Sequence, residues 1–189
     1  MELKEKLLSS FMAFEEKIDF HQELHEVRSQ AIKNFESKGF PTKKEESWKY
    51  TSLNTILKND FSVFSKKENT IEFAEVKKYF LHEVDTYKLI FIDGVFSSFL
   101  SSTSHDGLDV CLISSALNKP KYKMYIDEYF NKIASKEESL TSLNTAFASE
   151  GAYINIPKSK VVEKPIEIIY FSTGSEAALM VQPDRKSVV

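Results

Sequence analysis

The apolar residues at the start of the chain recur every three or four positions, and this periodicity constrains the fold more than any other feature. Leu3, Leu7, Phe11, Phe14 and Ile18 are spaced four, four, three and four apart, the interval at which side chains share one face of an α-helix. Phe20, Leu24, Val27, Ala31 and Phe35 repeat the pattern. Gly39 follows the last periodic residue and Pro41 lies just beyond. That is a helix stop, because glycine accepts a left-handed backbone and proline cannot continue the hydrogen-bond ladder. Two amphipathic helices therefore open the chain, each with one stripe to bury.

Thr42 and Glu45 have capping-box spacing, which predicts a short third helix carrying Glu46, Trp48 and Lys49 before Thr51. Residues 58–70 are polar with isolated aromatics and read as a loop; a helical stretch is expected over about 73–82. Two β-rich runs, 87–92 and 95–100, flank Asp93-Gly94. This pair predicts a hairpin, since a type I′ turn needs positive φ at both central positions. Residues 108–113 read as a third strand and 122–133 as a helix. Ser135 with Glu138 forms a second capping-box signal, ahead of Leu140, Leu143, Phe147 and Gly151.

Beyond Gly151 the period changes. Residues 152–156, Val161-Val162, 166–171 and 177–181 read as short strands, with Pro157 to Lys160 as a turn. Short strands with frequent turns suggest a sandwich, barrel or β-solenoid, and a sheet left with unpaired edges invites association.

Several function classes are disfavoured by composition. The five glycines stand at 39, 94, 107, 151 and 174, so no cluster exists that could close backbone N–H groups around a phosphate. The chain carries neither a P-loop nor a dinucleotide fingerprint. Its 25 Lys+Arg against 28 Asp+Glu give a formal net charge of −3, with no basic excess for nucleic acid. The lone Cys111 cannot form an internal disulfide and suits a reducing compartment. The amino terminus alternates charge, unlike a signal peptide, and no run approaches the ~18 apolar residues of a membrane span. The expected location is the cytoplasm. A length of 189 residues suits one sizeable core, or a small domain plus the beginning of another.

Few residues form a chemical constellation. His21 and His25 share a helix face, as a zinc site would want. In a zinc-protease helix, however, the glutamate directly follows the first histidine, and Gln22 stands there. A solvated polar face is the simpler reading. Cys111 lies in an apolar run and reads as a small packed hydrophobe. His82 has no partner pattern, and His105-Asp106 could pair. Glu45-Glu46 and Glu137-Glu138 fall in expected first helical turns, where they offset the macrodipole. Lys43-Lys44 and Lys66-Lys67 read as solvated surface. Phe40, Trp48 and Tyr50 cluster around a proline turn, as aromatics at a domain junction or partner surface do.

The segment Gly39-Phe40-Pro41-Thr42-Lys43-Lys44-Glu45-Glu46-Ser47-Trp48-Lys49-Tyr50-Thr51-Ser52-Leu53 closely resembles the amino-terminal signature of the SufB/SufD family of iron–sulfur cluster assembly proteins. Leu143-Asn144-Thr145-Ala146-Phe147, with Glu150-Gly151, Ile154-Asn155-Ile156-Pro157 and Lys164-Pro165-Ile166, resembles that family's approach to its core. Phe91-Ile92-Asp93-Gly94-Val95-Phe96 is similar to its hairpin. The resemblance covers about residues 20–183, and the wording of the first segment and of Leu-Asn-Thr favours the SufD branch.

The resemblance implies an α+β chain: a helical or mixed amino-terminal domain over 1–150, then the first strands of a truncated right-handed parallel β-helix over 151–183. It implies a non-catalytic scaffold subunit whose partners are SufB-like and SufC-like subunits, with ATPase activity in the SufC partner. A nascent iron–sulfur cluster would belong only to the full complex. The family's metal- and sulfur-handling residues lie late in the core, so no catalytic, cofactor-binding or metal residue is assigned. Asp184-Arg185-Lys186-Ser187-Val188-Val189 departs from the family, and GAT-CGG-AAG-AGC-GTC-GTG, a sequencing-adapter string, translates to it. That tail is read as non-native and set aside. The rival readings are a stand-alone metal-dependent hydrolase using His21 and His25, and an interaction module built around Trp48.

Overall fold

The computed structural model describes residues 2–17, 21–59, 61, 71–102, 104–105, 107–132, 138–148 and 151–173. The two stripes form α1 (Leu3–Glu15) and α2 (His21–Lys38). Leu7, Phe11 and Phe14 meet Leu24, Ala31 and Phe35 in one core. Val27 is only partly buried, and Arg28 and Ile32 take the inward positions beside it. Ile18 and Phe20 lie outside the described residues. Helix α2 stops at Gly39, which adopts φ 71° and donates its N–H to the Phe35 carbonyl at 2.7 Å. The left-handed conformation satisfies an end carbonyl that the helix cannot.

The Thr42–Glu45 pair closes a turn in place of a helix. The Thr42 N–H donates to Glu45 Oε1 at 2.9 Å, and the Lys44 N–H to Thr42 Oγ1 at 3.3 Å. Only one 3₁₀ turn, Glu46–Trp48, follows, then α3 (Asn54–Leu57), which no sequence signal marked. The helix expected over 73–82 shortens to α4 (Phe73–Val76) and a 3₁₀ turn, Lys77–Tyr79. Val76 is its one fully buried side chain, too little burial to sustain a longer helix. Of the 58–70 loop, residues 60 and 62–70 lie outside the described residues.

Strands β1 (Tyr87–Ile92) and β2 (Val95–Phe96) form the hairpin, with Ile92 opposite Val95. Asp93 and Gly94 take φ 47° and 86°, as a type I′ turn requires. The second strand is shorter than the 95–100 run. Ser97 donates its N–H to the Ile90 carbonyl, and Ser101 Oγ takes the Ile90 N–H, each at 2.8 Å. The chain therefore turns, leaving Phe99 89% exposed while Leu100 is buried.

Strand β3 (Ser104–His105), which no pattern marked, pairs with β4 (Leu108–Leu112). Ile113 opens α5 (Ile113–Leu117) and does not end the strand. The next helix, α6 (Pro120–Tyr129), begins earlier than 122, because proline suits the first helical position. It ends before 133, with Asn131 at φ 58°. Helix α7 (Ser139–Ala146) has Glu138 as its N-cap; Ser135 lies outside the described residues.

Strands β5 (Ala152–Asn155) and β6 (Ile166–Phe171) complete two sheets. One is mixed, in the order β2-β1-β6, with β6 parallel to β1 from Tyr87 opposite Ile166 to Ile92 opposite Phe171. The other is antiparallel, β3-β4-β5, with Leu112 opposite Ala152. Among the described residues, both strands beyond Gly151 are thus hydrogen-bonded to strands before it, and none of this pairing displays a parallel β-helix. Val161-Val162 is not a strand, and Val161 is exposed. Residues 177–181 and the 184–189 tail lie outside the described residues.

The helical core joins α1, α2, α5, α6 and α7 to Cys111 and Tyr153 of the antiparallel sheet. A second cluster, Val76, Ile90, Ile92 and Leu100 with Ile169 and Phe171, lies against the mixed sheet. Among the described residues no helix is long and apolar enough to cross a membrane.

Candidate functional site

Residues 39–53 form a segment fixed at its root and open along its length. The hydroxyl of the buried Ser139, at the start of α7, donates to the Gly39 carbonyl. The Phe40 ring packs edge-on against Phe35, with centroids 5.1 Å apart, and Pro41 is buried. Beyond this anchor, residues 42–47 are exposed, Trp48 is half-buried and Tyr50 is 90% exposed. The Lys49 ammonium lies 5.5 Å from the centre of the Tyr50 ring, within reach of a cation–π contact. The three aromatics singled out in the sequence thus separate: Phe40 anchors, Trp48 is half-buried and Tyr50 faces solvent. This arrangement presents an exposed surface.

The other sequence candidates have structural duties. His25 Nδ1 lies 2.6 Å from Glu15 Oε2, and Arg28 Nε donates to Glu15 Oε1 at 2.9 Å. The pair of contacts ties α2 to the last turn of α1 through a buried carboxylate and a fully buried guanidinium. His25 is therefore engaged by Glu15, and the His21 side chain lies outside the described set. Among the described residues no group of three or more His, Cys, Asp or Glu could hold a metal ion.

Cys111 is partly buried against the helical core, across the strand pair from Tyr153. His82 is exposed; the His105 side chain and Asp106 lie outside the described set. Glu45 holds the Thr42 N–H, and Glu138 Oε2 accepts from the Thr141 hydroxyl at 3.4 Å. Glu137 and Lys66-Lys67 lie outside the described residues.

Four polar clusters escaped sequence reasoning. Arg28 left a signal, because it sits on the inward stripe between Leu24 and Phe35 in a chain with only two arginines. Asp109 Oδ2 accepts from the Tyr122 hydroxyl at 2.8 Å and the Asn155 amide at 3.1 Å. These bonds hold the Asp109 carboxyl below its ordinary range, while the bond to Asp109 pushes the Tyr122 phenol up to about 12. Glu167 of β6 accepts from the Leu81 N–H at 3.0 Å and the Thr86 hydroxyl at 2.6 Å. Burial raises the Glu167 carboxyl, but those bonds and the Lys88 charge outweigh it and leave the group below its usual value. At the other end of β6, Asp93 accepts from the Thr173 N–H and hydroxyl at 2.9 and 2.7 Å. Glu167 thus holds the start of β6, and Asp93 holds the chain just past its end.

Residues 1–168 match the model of the SufBD protein N-terminal region. An iron–sulfur cluster assembly SufBD family protein of Synechocystis sp. is 25% identical over 143 residues, covering 76% of this chain and 31% of the relative. The match thus spans about a third of the length of that curated relative. With the family's amino-terminal region matched over 168 of the 189 residues, the chain belongs to the SufBD family.

Proposed function

We propose that the chain is the amino-terminal part of a SufD-like scaffold subunit, acting with a SufB-like subunit and a SufC-like ATPase in iron–sulfur cluster assembly. The observation that carries this reading is the family match over residues 1–168, and the wording of the Gly39–Leu53 segment favours the SufD branch. The subunit is non-catalytic: its open segment offers a surface, and its widely spaced glycines leave nucleotide binding to the partner. Residues 151–183 begin a core that continues as a right-handed parallel β-helix, and the clasp of Glu167 and Asp93 on β6 would set the direction of that continuation. The nascent cluster is held by the full complex, in the cytoplasm.

The alternative, a stand-alone hydrolase using His21 and His25, is not favoured by the family match over residues 1–168. Anaerobic co-purification of the full-length subunit with SufB-like and SufC-like proteins is the test. A stable complex is expected; a subunit that elutes alone under all conditions would refute the reading.

A further inference from the structure

The turn between β1 and β2 is an Asp-Gly pair, Asp93-Gly94, and that dipeptide has a covalent reaction of its own. The Gly94 nitrogen can attack Asp93 Cγ, because glycine has no side chain to hinder the approach. The Cγ–N bond forms, and the amide proton leaves with one carboxyl oxygen as water, closing a succinimide ring. Water then reopens the ring. Breaking the new Cγ–N bond restores aspartate, whereas breaking the bond from nitrogen to the α-carbonyl leaves isoaspartate, with an additional methylene in the main chain. The only co-reactant is water.

Three hydrogen bonds tie Asp93 to the chain at the end of β6. Its N–H donates to the Phe171 carbonyl at 2.8 Å. Its Oδ1 accepts from the Thr173 N–H at 2.9 Å and its Oδ2 from the Thr173 hydroxyl at 2.7 Å. One of those oxygens must depart when the ring closes, so at least one bond to Thr173 must break first. Hydrogen bonds to a charged group are the stronger kind, and Thr173 therefore opposes the reaction. The turn is otherwise open: Asp93 is only partly buried, and among the described residues no atom lies within 4 Å of where a Cβ on Gly94 would sit. Conversion would also be felt in the sheet. Ile92 faces Val95 across a two-residue loop, which a lengthened backbone cannot span in the same register, and the displaced carboxyl group would leave Thr173.

We propose that Asp93-Gly94 is a site of isoaspartate formation that Thr173 holds closed, so that modification there and release of the chain just past β6 are coupled. The inference goes beyond the scaffold reading and does not depend on it. The full-length subunit is aged at neutral pH, in buffer and in denaturing urea, and digested with a protease that cuts before aspartate but not before isoaspartate. Mass spectrometry then reads position 93 separately from Asp106 of the second Asp-Gly pair. Wild type should convert at least ~10-fold faster in urea than in buffer. Thr173→Val, which loses the hydroxyl and keeps the N–H, should convert ~10-fold faster than wild type in buffer, and Thr173→Ser should return to the wild-type rate. In converted wild-type material the Thr173 amide should exchange its hydrogen faster. Circular dichroism establishes that the variants are folded, and the urea ratio and the amide exchange need no variant. Equal rates in buffer and urea would overturn the inference, as would a folded Thr173→Val no faster than wild type, a Thr173→Ser as fast as Thr173→Val, or a Thr173 amide still protected after conversion.

Discussion

Replacing Arg28 tests whether a buried ion pair holds the first two helices together. Its guanidinium is fully buried, with Nε 2.9 Å from Glu15 Oε1, and the carboxylate is itself only 7% exposed. At an effective dielectric near 20, charges about 4 Å apart attract by ~4 kcal/mol, and desolvation of both groups cancels much of that gain. Removing one partner is different, because an uncompensated buried charge remains, at a cost of ~3–5 kcal/mol. His25, half exposed and 2.6 Å from the other carboxylate oxygen, partly compensates. Arg28→Met should therefore cost about 3 kcal/mol, a fall in Tm of roughly 6–12 °C for a chain of this size. Glu15→Met combined with Arg28→Met should recover most of the loss, since an apolar pair of similar volume replaces an ion pair at little cost. Chemical denaturation followed by far-ultraviolet circular dichroism gives all four corners of the cycle. Arg28→Met costing under ~1 kcal/mol, or a double variant costing the full sum of the single ones, would refute the reasoning.

The hairpin, the sheet edge and β6 give further tests. Gly94→Ala should destabilise by ~1–2 kcal/mol, because φ is 86° there although no atom within 4 Å would obstruct the Cβ; equal stability by denaturation would show that the turn tolerates a side chain. The Tyr122 phenol is raised from 10.0 to about 12, so its contribution to stability is fully present below pH 10 and is lost as pH rises through about 12. Tyr129 and Tyr153 are raised as well, so tyrosinate absorbance should show several late-ionising tyrosines, with one fewer in Tyr122→Phe. Glu167, held below its ordinary value of 4.5, contributes stability above that pH which disappears as acid protonates it in the folded state. Glu167→Gln should flatten the acid limb of the stability profile, and an unchanged limb would contradict the assignment.

What the sequence revealed depended on the range of the interaction. The stripes of α1 and α2, the Gly39 stop and the Asp93-Gly94 turn are local, and a periodicity or a required φ announces each of them. The run from Val95 to Leu100 misled, because β-forming residues continue past the point where Ser101 captures the Ile90 N–H. Local composition does not encode that competition. The parallel pairing of β6 with β1 joins residues about eighty positions apart, and an apolar strand looks the same whichever neighbour it takes. Of the open segment, the aromatic cluster was visible as a group. Its division into an anchor, a half-buried ring and an exposed tip was not, since Ser139, which fixes the Gly39 carbonyl, arrives from α7. Arg28 was readable as a misfit on an apolar stripe, but its partner Glu15 lies on another helix.

The central claim, that this chain begins a scaffold subunit of cluster assembly, is tested most directly by anaerobic reconstitution. SufB-like and SufC-like proteins are supplied with iron, a sulfur donor and ATP, with and without the full-length subunit, and iron and acid-labile sulfide bound to the complex are measured over time. The account predicts that cluster accumulates on the complex containing the subunit and is strongly reduced without it. Equal iron and sulfide in both reactions would contradict it.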